Sequence, residues 1–563
     1  MIKKRLLPVA LIFIVGLMAH WAAASPPEMI KVSEVKPGMK GYGLTVFEGT
    51  KIEKFDVEVI SILKNHMGPK TDIVLLRANH KVTDHANIIH GMSGSPIYLE
   101  GKLAGALSLG FTAFPKDPLF GMTPIEYMLK ESERPMEEES YLPLPAKDSI
   151  LRPVMTPLFF SGFHPNVISA VKKDFEEMGF APIQGSGSGS YSDLDIKLEP
   201  GAAVGVELAR GDFNIGGVGT VTYVDGDKVL VFGHSMGMFG QISIPMATAY
   251  VHTVIAGSET SFKLASMVKP VGTFTQDRLP CVAGYLGKQP VMIPVKITTT
   301  NQQTKYQNTY KVELINQKSL LPLLLLQCVI RSIVYGETIE QSDATVKLDL
   351  VFKLKDGETI LLDNLYSTQD GYKDLLMSLA SQIVQLLNNP FKKMEIAETT
   401  VDVSILHKRK VASIQSVWLN KTEVKAGETV TVNVLLKPFG QSSVKKEVDI
   451  KIPENVMAGE YEITVVSGRE ATAKLPKPET FEDMISFIKR RYASNLIITQ
   501  LNLPSVGIAF KGKEMPHLPT SVFGTLISNT ATGVSIEQDS LKTQSESEWV
   551  IDGSKNVTIK IKD

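Results

Sequence analysis

Residues 217–237 read GVGTVTYVDGDKVLVFGHSMG. Valine, threonine and tyrosine flank an Asp225-Gly226 pair, and such a pair closes a hairpin because both of its residues tolerate left-handed backbone. The stretch therefore predicts two antiparallel strands, the second one apolar through Val231-Phe232 and ending on Gly233-His234-Ser235. Neighbouring segments share the pattern: AAVGVELARGD (202–212), QPVMIPVKITTT (289–300) and TYKVELI (309–315) all read as strands. Residues 195–318 form one β unit on this reading.

A second β unit precedes it, over 25–145. GYGLTVF (41–47), KIEKFDVEVISIL (51–63), TDIVLLRA (71–78) and GSPIYLEGKLAGALSLG (94–110) are short apolar or alternating runs, with a hairpin at Glu100-Gly101. GMTPIEYML (121–129) closes the unit with a short helix. Between the units, 146–194 holds an amphipathic helix, HPNVISAVKKDFEEMG (164–179), opened by Pro165 and stopped by Gly179. The linker GSGSGSYSD (185–193) follows, and it lacks the Gly-Lys-Ser/Thr ending of a phosphate loop. Residues 319–408 mix strands with the helix GYKDLLMSLASQIVQLLNNP (371–390). Residues 409–476 alternate with evenly spaced Gly and Pro turns, as in an immunoglobulin-like sandwich, and 477–563 return to an α+β character. The expected class is mainly β.

The chain has 563 residues and a formal net charge of -1, so no basic surface is available for nucleic acid. MIKKRLLPVALIFIVGLMAHWAAA (1–24) has a basic start, an apolar run and small residues at its end. That layout is a signal peptide, and the expected location is exported, periplasmic or extracellular. No membrane span is expected after its removal, since LLPLLLLQCVI (320–330) is short and carries Pro322. The two cysteines, Cys281 and Cys328, suit either one disulfide or two separate buried thiols. His80, His85 and His90 lie five apart, a spacing that suits neither a helix face nor a strand face, so no metal and no cofactor are expected.

GMSGSPIY (91–98) is the stretch that could carry chemistry. It reads either as a structural turn or as a turn that presents Ser93 as a nucleophile. On the second reading the backbone N–H groups of Gly91 and Ser93 form an oxyanion hole, and Gly94 lets the chain leave without crowding the substrate. His234, at the end of an apolar strand, is the candidate base.

IIHGMSGSPIYLEGKLAGAL, GMTPIEYML and GVGTVTYVDGDKVLVFGHSMG resemble the SpoIVB-type serine peptidases and their exported relatives. The resemblance runs over Val32–Leu129 and Gly201–Ile297. It implies a trypsin-like double β-barrel with Ser93 as nucleophile and His234 as general base, acting on a protein or peptide substrate. Two departures stand out. The serine segment here precedes the histidine segment, as in a permuted order. Where the family carries its aspartate, this chain reads LLRANHKV, with Ala78 and Asn79. Asp84, Asp225, Asp227 and Asp277 are substitutes; Asp277 is favoured because it shares the unit of His234. A dyad oriented by a backbone carbonyl is also open. The alternative function is a peptidase-like binding or assembly protein with weak or lost activity, its C-terminal β domains meeting a protein partner in the cell envelope.

Overall fold

The computed structural model describes residues 27–562, apart from 112–114, 136–149, 186–190, 192–193, 337–342, 369–372, 393, 474–477, 479, 511–512, 516–518 and 529–533. The expected leader (1–24) and most of the Gly/Ser linker lie outside the described residues. Strands make up 54% of the described residues and helices 16%, a mainly β composition.

The first unit contains β1 (Lys40–Val46), β2 (Ile52–Leu63), β3 (Ile73–Asn79), helix α1 (Lys81–Ala86), β4 (Ile89–His90), β5 (Pro96–Leu99), β6 (Lys102–Phe111), β7 (Leu119–Pro124) and helix α2 (Ile125–Glu133). Its strands pair in the order β5-β1-β2-β3-β7-β6, and a β5–β6 pairing closes the ring. The Glu100-Gly101 hairpin forms as expected, with φ of 51° and 82° and Leu99 opposite Lys102. Phe55, Val57, Leu76, Met92, Ile97, Leu107 and Phe120 fill the interior.

A crossing segment follows: β8 (Leu151–Pro153), β9 (Thr156–Ser161), helix α3 (Pro165–Glu177) and β10 (Phe180–Gln184). Helix α3 buries Val167, Ile168, Val171 and Phe175 on one face, the face its sequence spacing marks. The second unit contains β11 (Ala203–Gly211), β12 (Asn214–Asp225), β13 (Lys228–Val231), β14 (Gly240–Ile255), β15 (Ser261–Arg278) and β16 (Cys281–Leu286). These pair as β12-β13-β16-β15-β14-β11, and a β11–β12 pairing closes this ring too. The strand order is the same in both rings: the first three in sequence are neighbours, then come the sixth, fifth and fourth.

The second ring does not end at its own strands. Met292–Asn301 and Gln307–Ile315 extend its sheet, and 344–354, 359–368 and 396–406 carry that sheet further. One apolar core joins this ring to the helices at Leu321–Gly336 and Lys373–Leu387. Further along, two sheets enclose a separate core built from Ile414, Val432, Ile450, Ile463, Ile497 and Ile559. Strands 550–552 and 554–562 complete those sheets, so the end of the chain packs with the stretch that begins near 411. Both cysteines are free and buried.

Candidate active site

Ser93 lies in the connection between the third and fourth ring strands of the first unit, and His234 in the corresponding connection of the second. The two connections meet at the seam between the barrels, where glycines permit unusually close approach. A Cβ on Gly94 would stand 2.0 Å from the Thr220 carbonyl oxygen and 2.5 Å from Phe232 N. One on Gly233 would stand 2.9 Å from Ala106 Cβ. Both glycines also have positive φ, 93° and 69°. Ser93 directly precedes the one and His234 directly follows the other, so the packing that joins the barrels also sets the two side chains at the seam.

Strand β12 of the second barrel holds the serine turn by its carbonyls. Thr220 N–H donates to Ser93 O at 2.9 Å, Thr220 Oγ1 to Gly91 O at 3.0 Å, and Thr222 Oγ1 to Gly94 O at 2.7 Å. Within the turn, Ser95 N–H and Oγ both donate to Met92 O, at 2.9 and 2.6 Å. With the carbonyls engaged on that side, no acceptor among the described residues takes the N–H of Gly91 or of Ser93. Ser93 Oγ and His234 Nε2 are likewise buried and without a hydrogen-bond partner. Buried polar groups are rarely left unpaired, and here three in the turn and one on the histidine share a single seam.

His234 Nδ1 lies 2.7 Å from the carbonyl oxygen of Ser235. A carbonyl oxygen only accepts, so Nδ1 carries the hydrogen and Nε2 of the neutral ring presents its lone pair. Burial pushes the ring pKa down to about 4, against the carbonyls of Ser235 and Val154, which favour the protonated form. The ring is therefore neutral at neutral pH. His90, one residue before the serine turn, is also driven to about 4, by burial first and then by the nearby charge of His234.

Asp277 lies on β15, buried, with its oxygens on the loop after His234. Oδ1 accepts from Met236 N–H at 2.7 Å, and Oδ2 from Gly237 and Phe239 N–H at 2.9 and 3.0 Å. The carboxylate grips the loop that carries the histidine, while the partner of Nδ1 is the Ser235 carbonyl. Burial pushes Asp277 up to about 6, though these N–H donors pull the other way. Of the other carboxylates considered, Asp225 closes the β12–β13 hairpin opposite Lys228, and Asp84 lies on α1.

The sequence reading missed one buried cation. Lys263 on β15 has no exposed surface and donates from Nζ to Thr45 Oγ1 at 2.8 Å and Thr220 Oγ1 at 3.3 Å. It thus stands behind the threonine that grips Gly91, and burial pushes its pKa down to about 7. No sequence signal marked it: Phe262 and Leu264 are the apolar pair of SFKLA (261–265), yet Ser261, Lys263 and Ala265 take the buried face of the strand. A charged residue on an inward face carries information that one on a solvated face does not.

Residues 15–129 match the family model described as SpoIVB peptidase S55. The match includes Ser93 and ends well before His234. No curated protein matches the chain. Among the described residues, no helix is long and apolar enough to cross a membrane.

Proposed function

With its segment 15–129 belonging to the SpoIVB-type serine peptidase family, we propose that this chain is an exported serine endopeptidase with a trypsin-like double-barrel core. Ser93 Oγ attacks the peptide carbonyl, and His234 Nε2 takes its proton and returns it to the leaving amine. The N–H groups of Gly91 and Ser93 receive the oxyanion. The Ser235 carbonyl, rather than a carboxylate, holds the imidazole in the tautomer that can accept the proton. Asp277 is a positioning residue that fixes the loop after His234. Relative to the family, the serine and histidine halves stand in exchanged chain order, an exchange that leaves the geometry free to work because such constellations recur in several chain orders.

The observation that carries this reading is the set of four unpartnered groups at one seam: Ser93 Oγ, His234 Nε2 and the two turn N–H groups. Hydrolysis of an unfolded protein substrate by the chain lacking residues 1–24 tests it, beside the variants Ser93→Ala and His234→Ala. The expected result is turnover by the wild type and a loss of roughly 1000-fold or more in each variant. Equal and measurable turnover in all three contradicts the assignment.

A further inference from the structure

Strand β6 runs past the serine turn, and what lies on its edge there is part of the same chain. Strand β7 covers one side, with Leu109 opposite Gly121. On the other side β5 reaches only to Ala106. The serine turn takes the next position, with Gly94 N–H donating to Leu107 O and Leu107 N–H to Ser95 O. Beyond it, the edge from Ser108 to Phe111 is filled by β8. Leu109 pairs with Pro153, Gly110 with Arg152 and Phe111 with Leu151, all antiparallel, and Val154 N–H donates to Ser108 O at 2.9 Å. Because Leu109 already has Gly121 on its other side, β8 must lie on the same side as the serine turn.

A peptide that adds as a strand gains main-chain hydrogen bonds from the edge and selectivity from pockets for alternate side chains. The Ser108–Phe111 edge meets that description, since a strand laid on it is delivered to Ser93. Val154 occupies the position on this edge next to the serine turn, since it bonds Ser108 while the turn bonds Leu107. Its side chain is 3% exposed and packs into the core of the first barrel. Its carbonyl is one of the two that favour the protonated form of the His234 ring. With Gly91 and Ser93 N–H still lacking an acceptor, that carbonyl is not in the oxyanion hollow. The segment is therefore seated like a substrate but not aligned for attack. It then crosses the seam, Thr156 beginning β9, which pairs with β12 in the second barrel. Ser93 has no exposed surface and His234 only 3%.

Resting on the Ser93 reading, we propose that Leu151–Met155 is an intrachain pseudo-substrate that fills the peptide-binding edge of β6 and keeps the peptidase closed until it is displaced. The peptide that displaces it is extended and carries a small branched aliphatic residue where Val154 now sits.

Two variants loosen the strap without replacing a reacting group. Arg152→Pro removes an N–H from the residue paired with Gly110, and Val154→Glu sets a charge in an apolar site. Each should raise the rate of Ser93 labelling by a small fluorophosphonate at least ten-fold, and a free peptide of sequence LRPVMT should slow labelling of the variants. Folded variants that label at Ser93 but no faster than wild type overturn the proposal and leave the Ser93 reading intact. Should the variants not fold, amide exchange in the wild type decides: Arg152 and Val154 protected like β6 supports the strap, and exchange at coil rates overturns it. Protection without labelling in any form counts for the occupied edge and against Ser93 as nucleophile.

Discussion

At the scale of single residues, the account turns on how a histidine is oriented without a neighbouring carboxylate. Ser235 O does this directly, and Asp277 acts through three backbone N–H groups of the following loop. Asp277→Asn would set an amide N–H₂ against at least one of those donors. Chemical denaturation should show a loss of about 2–3 kcal/mol, and turnover should fall by more than that loss of folded protein explains. Unchanged turnover would mean that the loop holds His234 without the carboxylate. Ser93, His234 and the two turn N–H groups stand out in the sequence as candidates because glycine-bounded serine and histidine are local patterns. The orienting carbonyl was left open there, since every residue has one and only the fold decides which carbonyl meets Nδ1. Lys263 escaped because a single lysine in a strand resembles any solvated charge until its face is known.

At the scale of elements, the seam depends on Gly94 more than on any side chain near it. Gly94→Ala combines a φ of 93° with a Cβ 2.0 Å from the Thr220 carbonyl oxygen, so β12 must move away from the serine turn. The expected cost is about 3 kcal/mol or more, read by thermal or urea unfolding, together with loss of turnover; a variant of wild-type stability would refute the close approach. The Glu100-Gly101 hairpin, the β12–β13 hairpin and helix α3 were predicted from turn chemistry and periodicity, both of which are local, although the second hairpin turns one residue later than expected, on Gly226-Asp227 with Asp225 opposite Lys228. The pairing of β8 with β6 was not: Leu151–Pro153 is three residues long and meets its partner only through the closed barrel. The sheets near the C-terminus show the same limit. Their last strands lie more than eighty residues from the first, beyond the reach of any spacing rule.

At the scale of the whole molecule, buried titratable groups along the seam tie stability to pH. Folded His90 and His234 hold protons less readily than when unfolded, about 4 against an ordinary value near 6.5. As pH falls from about 6.5 through about 4, the unfolded chain takes up more protons and each histidine removes stability, on the order of 3 kcal/mol. Asp277, raised to about 6, works in the opposite sense over much of that range. Two groups against one leave a net loss of about 3 kcal/mol, measurable by urea unfolding at pH 7 and pH 4.5 against a His90→Gln variant, which should lose less. Lys263 acts higher on the scale. Its folded pKa of about 7 lies below the unfolded value, so stability rises as pH increases from about 7 towards about 10, and Lys263→Met should abolish that rise.

The measurement that bears most directly on the central claim is covalent labelling of the chain by a fluorophosphonate, with the adduct located by peptide mass mapping. The account predicts an adduct on Ser93 in the wild type and in the strap variants, absent from Ser93→Ala and lost or strongly slowed in His234→Ala. An adduct elsewhere, or no adduct at Ser93 in strap variants shown to be folded, would contradict it.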